Sequence, residues 1–165
     1  MLHTHTHACW RTETHAHLIS PTCSAPLTGR PPAGEGECTL LEFARLHAAG
    51  LSYLQPDIAM CGGLTVCKAI SDLIEASPGS GCTPVPHCFS TGVNLCASLH
   101  WMAATGGDLC EYCMSPSPLM RSLVSNLPPL GADGRVDVPT GPGLGLELDP
   151  AILEEYRVRD DRARL

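Results

Sequence analysis

Ser52-Tyr53-Leu54-Gln55-Pro56-Asp57-Ile58-Ala59-Met60-Cys61-Gly62-Gly63-Leu64-Thr65-Val66, residues 52–66, decides the fold. Ser52 to Leu54 reads as a short strand that stops at Gln55-Pro56-Asp57. Gly62 and Gly63 then open a helix, because Val66, Ile70, Leu73 and Ile74 recur at i, i+4, i+7 and i+8. A strand that ends on a polar residue and runs through glycines into an amphipathic helix is a βα unit.

The unit repeats on both sides. Upstream, Thr39 and Glu42 form a capping box ahead of a helix with Leu40, Phe43, Ala44 and Leu46, stopped by Gly50. Downstream, the break at Pro78–Gly81 leads into a second strand, Cys82–Pro86, that ends at His87. Leu95, Leu99, Met102 and Ala103 repeat the helical spacing, Gly106 ends that helix, and Leu109–Tyr112 reads as a third strand. This alternation predicts an α/β fold with a parallel sheet and right-handed crossovers.

Glu35, Asp57, His87 and Glu111 fall at successive strand ends, separated by 22, 30 and 24 residues. In a (β/α) barrel such ends converge on one mouth, where catalysis occurs. Singly, Asp57 reads as a turn cap, His87 as a satisfied strand-end histidine and Glu111 as a surface carboxylate. Four in register indicate a site. His47 and His100 lie inside helices and read as structural.

The length bounds what surrounds that site. A chain of 165 residues and 17.4 kDa holds one domain. It is too short for a complete barrel of about 250 residues. An apolar content of 44% suits a globular core, filled by aliphatic residues because aromatics are only 4%. The net charge of −7 makes nucleic acid and anionic membranes poor partners. No apolar run approaches the roughly 20 residues of a membrane span. Without a secretion signal, the ten cysteines read as small buried apolar residues in a reducing cytosol. The close pair Cys110 and Cys113 lacks the second pair a zinc site would want.

Residues 1–30, with His3, His5, His7, His15 and His17, read as a disordered leader. Residues 116–165 read as a turn-rich segment and a final helix, with Asp149 as its N-cap and Pro150 at its first position. Gly141-Pro142-Gly143-Leu144-Gly145 reads as turn chemistry, since Pro142 removes a donor that a phosphate cradle needs.

At Ala33-Gly34-Glu35, Leu54-Gln55-Pro56-Asp57 with Gly62-Gly63, Val85-Pro86-His87 and Leu109-Cys110-Glu111-Tyr112 the chain resembles a known family. It is the mandelate racemase/muconate lactonizing enzyme group of the enolase superfamily, in its C-terminal part. Gly141–Gly145 and Tyr156-Arg157-Val158 carry the resemblance to about Val158, while the first thirty residues match nothing in it. Glu37 rivals Glu35, but stands two residues too close to Asp57 for the family pattern.

The resemblance implies a partial (β/α) barrel over residues 31–115, comprising about its last four βα units. It implies that Asp57 and His87 form a dyad in which His87 is the base, and that Glu111 faces the enolate oxygen. Glu35 would be one of three carboxylates that hold Mg2+, and alone is far too weak to do so. The strands for the other two ligands and the lysine base, and most of the capping domain, are expected to be missing. The implied chemistry is removal of the proton α to a carboxylate, with an acid-sugar dehydratase expected before a racemase or cycloisomerase. The isolated chain is expected to be inactive, self-associating or pairing with a missing barrel half through uncovered sheet edges. A non-catalytic remnant is the alternative.

Overall fold

The computed structural model describes residues 32–158. Helix α1 spans Leu40–Ala48 and ends at Ala49. Its capping box is formed as the sequence predicts: the Glu42 backbone N–H donates to the Thr39 hydroxyl, and a Glu42 carboxylate oxygen accepts the Thr39 backbone N–H. Strand β1 spans Tyr53–Leu54, α2 Gly63–Glu75, β2 Thr83–Pro84 and α3 Gly92–Thr105. Two short helices follow, α4 at Pro118–Arg121 and α5 at Pro150–Glu155, the latter capped by Asp149 as expected.

The strands are shorter than the sequence suggests, but their register is regular. Strands β1 and β2 run parallel, with Tyr53 beside Thr83 and Leu54 beside Pro84. The N–H groups of Thr83, Val85 and His87 donate to the carbonyls of Ser52, Leu54 and Pro56 at 2.9, 2.9 and 3.1 Å. On the opposite edge of β1, Ala33 bridges Leu54 in parallel. The chain thus lays Ala33, Leu54 and Pro84 side by side and carries the pairing past the strand ends to His87.

Leu109–Tyr112, expected as a third strand, keeps only a single bridging residue at Glu111. The cause lies in β2. The amides of residues 83, 85 and 87 face β1, so those of 84 and 86 face away, and both are proline. That edge presents carbonyls without N–H groups, so no two-way ladder forms on it.

Two apolar clusters hold the elements together. In one, Phe43 of α1, Leu54 of β1, Ile70 of α2 and Trp101 of α3 are buried against each other. Trp101 also donates its indole N–H to Ser71 Oγ at 3.0 Å, tying α3 to α2. In the other, Leu95 and Leu99 of α3 pack with Tyr112, Met120 and Val136, so the segment after residue 115 shares a core with the helices before it. Of the eight described cysteines six are buried, and all eight are free. The glycine-rich stretch is a turn: Gly145 N–H donates to Pro142 O at 3.1 Å, and Asn126 donates to Gly145 O at 3.0 Å.

Gly34 places the residue that follows it. Its φ is +121°, and a Cβ there would stand 2.7 Å from the Phe43 ring. Only glycine allows the chain to pass over α1 and deliver Glu35 to the strand ends.

Candidate active site

The carboxyl ends of the aligned segments bring three of the four singled-out residues around His87. Asp57 follows β1 and His87 follows β2, and the parallel pairing sets them side by side. His87 Nδ1 lies 3.0 Å from Asp57 Oδ2. Asp57 is buried, and its second oxygen, Oδ1, accepts N–H groups from Ala59 at 2.8 Å and Asn94 Nδ2 at 3.0 Å. With the carboxylate restricted to accepting, the shared proton sits on Nδ1 and Nε2 is left with its lone pair outward.

Nε2 faces Glu35, whose Oε2 lies 3.5 Å away; the Glu35 side chain is 70% exposed and that of His87 only 14%. Glu111 is buried and takes a different part. Its Oε2 accepts the Cys88 backbone N–H at 3.2 Å, which pins the chain beside His87. The Phe89 ring stacks on the imidazole with centroids 6.3 Å apart.

The charges around the imidazole act together. The hydrogen bond to Asp57 raises the His87 pKa above its ordinary 6.5; burial opposes this, and the charges of Glu111, Asp57 and Glu35 reinforce it. Burial works against the charge on Asp57, yet the bonds from His87, Ala59 and Asn94 hold its pKa below the ordinary 3.8.

A family model described as enolase C-terminal domain-like matches residues 11–152 of the sequence. The chain belongs to that family. The match begins at residue 11, so the family extends into residues 1–30, contrary to the expectation that those residues match nothing in it; they lie outside the described part, as does the expected leader. Among relatives of this enolase C-terminal domain-like chain is the D-galactarolactone cycloisomerase of Agrobacterium fabrum. It is 34% identical over 124 residues, covering 70% of this chain and 32% of the relative. The D-galactonate dehydratase of Ralstonia nicotianae is 32% identical over 130 residues, covering 74% and 33%. A solved mandelate racemase/muconate lactonizing enzyme from Jannaschia sp. CCS1 superposes with a TM-score of 0.67 at 28% identity, covering 81% of this chain and 33% of that one. The resemblance to the mandelate racemase group is therefore real, and the chain spans about a third of the length of the curated relatives it matches.

The described residues do not by themselves fit the Mg2+ that the family implies. Among them no three His, Cys, Asp or Glu side chains gather as a metal set. Glu35, the implied ligand, instead turns its carboxylate to an imidazole nitrogen, whereas Mg2+ requires octahedral oxygen ligands. Sequence reasoning also missed Asn94 and the Ala59 N–H, which hold Asp57 from behind, and Ser90, which in turn accepts from Asn94. The available signal was an asparagine in the otherwise apolar run from Val93 to Ala97.

The pKa directions predict how stability follows pH. The raised His87 value contributes stability that is full below 6.5 and lost as pH rises through the folded value. The lowered Asp57 value contributes stability that is full above 3.8 and lost as pH falls through its folded value. Urea unfolding at a series of pH values should show stability declining above 6.5, and Asp57→Asn should flatten that decline. A slope unchanged in Asp57→Asn would show that the pair is not coupled.

Proposed function

We propose that this chain is the dyad-bearing part of a mandelate racemase-like (β/α) barrel, with residues 31–115 as its last four βα units and His87 as a general base. The observation that carries the reading is the 3.0 Å contact between His87 Nδ1 and Asp57 Oδ2, which leaves the Nε2 lone pair pointing outward beside the exposed Glu35 carboxylate. An Nε2 lone pair held by a buried carboxylate takes a proton more readily than a free imidazole does. As the proton moves to Nε2, Asp57 and Glu35 on either side stabilise the imidazolium. Glu111, whose Oε2 accepts the Cys88 N–H, helps fix where the ring stands.

The substrate class is a small acid sugar and the reaction a dehydration: the proton α to the carboxylate passes to His87, the C–O bond to the β-hydroxyl breaks as the imidazolium returns a proton to it, water leaves, and the enol left behind tautomerises to a keto acid. The names of the galactonate dehydratase and galactarolactone cycloisomerase relatives support this class. The reaction belongs in a reducing cytoplasm, where the cysteines stay thiols. The test joins this chain to the amino-terminal two-thirds of a galactonate dehydratase relative and incubates the folded chimera with acid sugars in deuterium oxide. Loss of water with deuterium at the β-carbon of the keto product, or deuterium exchanged into the α-position of recovered substrate, supports the reading, and cyclisation without water loss would replace dehydratase by cycloisomerase. A folded chimera that exchanges nothing would defeat it.

A second observation favours association. Met60, Phe89 and Met114 follow Asp57, His87 and Glu111 closely in sequence and are 52%, 47% and 53% exposed. Apolar side chains open to water beside a site call for cover. The purified chain is expected to sediment as dimers or larger species, and a monomer at high concentration would show that these residues tolerate water.

A further inference from the structure

Helix α3 begins with a residue that its own packing does not explain. Asn94 is buried in the first turn, among neighbours that are apolar, where a leucine or alanine would serve the helix better. Thr91, the N-cap, already satisfies the Asn94 backbone N–H at 3.2 Å, so the side chain is not needed as a cap. Its amide nitrogen donates to Asp57 Oδ1 at 3.0 Å and to Ser90 Oγ at 2.9 Å, which uses both of its hydrogens. Its amide oxygen is buried without a partner. The reverse orientation would turn that oxygen on a carboxylate that can only accept, so Asp57 itself dictates which way the amide points. A buried orphan oxygen is the expense of keeping a donor on Asp57.

We propose that Asn94 is a positioning residue for the Asp57–His87 pair. By engaging Oδ1 together with the Ala59 N–H, it stops the carboxylate from turning and keeps Oδ2 on His87 Nδ1. The proton is thereby fixed on Nδ1 and Nε2 is kept bare. Ser90 stands behind the amide as its second anchor, so the chain of contacts runs Ser90, Asn94, Asp57, His87. The importance of this arrangement for catalysis rests on the reading of His87 as a base, but the tautomer it fixes is measurable without turnover.

The experiment is a long-range proton–nitrogen NMR spectrum of the 15N-histidine-labelled full chain, taken well above the imidazole range, where the ring is neutral. The chain has eight histidines, and the signal of His87 is the one that disappears in His87→Asn. In the unaltered chain His87 should show one protonated nitrogen, Nδ1. Asn94→Leu, which keeps the branched shape of the side chain, and Asn94→Ala, a good helix former in case the larger leucine does not fit, should each convert that single form to a mixture of tautomers. The other histidine signals and the far-ultraviolet circular dichroism should not change. A folded variant in which His87 remains wholly Nδ1-protonated overturns the proposal and leaves the base assignment standing. A mixed tautomer in the unaltered chain overturns both.

Discussion

His87→Asn is expected to lower α-proton exchange about 100- to 10,000-fold in a barrel completed with a relative's amino-terminal part, the usual contribution of a positioned general base. The imidazole turns Nε2 toward the exposed Glu35 carboxylate, and its partner Asp57 supports the charge it gains. Asp57→Asn should cost less, because it removes the orienting partner and leaves the base. Glu111→Gln should be the mildest, as the amide oxygen can still accept the Cys88 N–H. Deuterium exchange at the substrate's α-carbon is the measurement, because it registers proton removal even where later steps stall. Undiminished exchange in His87→Asn would assign the base to a residue from the other part of the barrel.

Phe43→Ala is expected to destabilise the chain by about 3–5 kcal/mol, the range for removing a fully buried aromatic ring. Phe43 is 0% exposed and joins α1 to β1 and α2 in one cluster. Natural domains are stable by only about 5–15 kcal/mol, so this change consumes much of the margin. The same ring lies against the backbone of Gly34, so its loss also frees the turn that delivers Glu35 to His87. Urea denaturation followed by circular dichroism measures the effect. A loss under about 1 kcal/mol would mean that the cluster collapses onto the vacancy.

The sequence made the helices legible because their ends are written locally. Thr39 with Glu42, Gly106 as the left-handed C-cap and Asp149 ahead of Pro150 each declare a helix terminus within four residues, and each terminus is where it was expected. Strand extent is set by partners far along the chain. The apolar run Leu109–Tyr112 has strand composition, but the edge it would join is the one that Pro84 and Pro86 leave without donors. That becomes visible only when the facing of residues 83, 85 and 87 is known. Helix α4 was hidden for the opposite reason: Pro116 and Pro118 look like a break, yet a proline suits a helix's first turn, and Met120 supplies the burial that closes it.

The site divides in the same way. Asp57 and His87 were legible by their position at strand ends, and the parallel register brings them together, whereas Glu111 joins them through the Cys88 N–H. The contact between Glu35 and His87 was not, because it depends on how Gly34 turns over Phe43. Asn94 was overlooked because Leu95, Leu99 and Met102 already account for the helical period, and an asparagine near a helix start resembles a cap. Its partner is 37 residues away.

Trp101 gives the molecule an optical readout of its own assembly. Its indole is 2% exposed, with the N–H bound to Ser71 on the neighbouring helix, so its emission belongs to a dry, fixed surrounding only while α2 and α3 are docked. The second tryptophan, Trp10, lies outside the described residues, and Trp10→Phe leaves a single tryptophan, in the larger apolar cluster, to be excited apart from the tyrosines. A red shift in that one band marks the parting of two helices, and its absence when another polypeptide is shown by sedimentation to bind means that the partner leaves them docked.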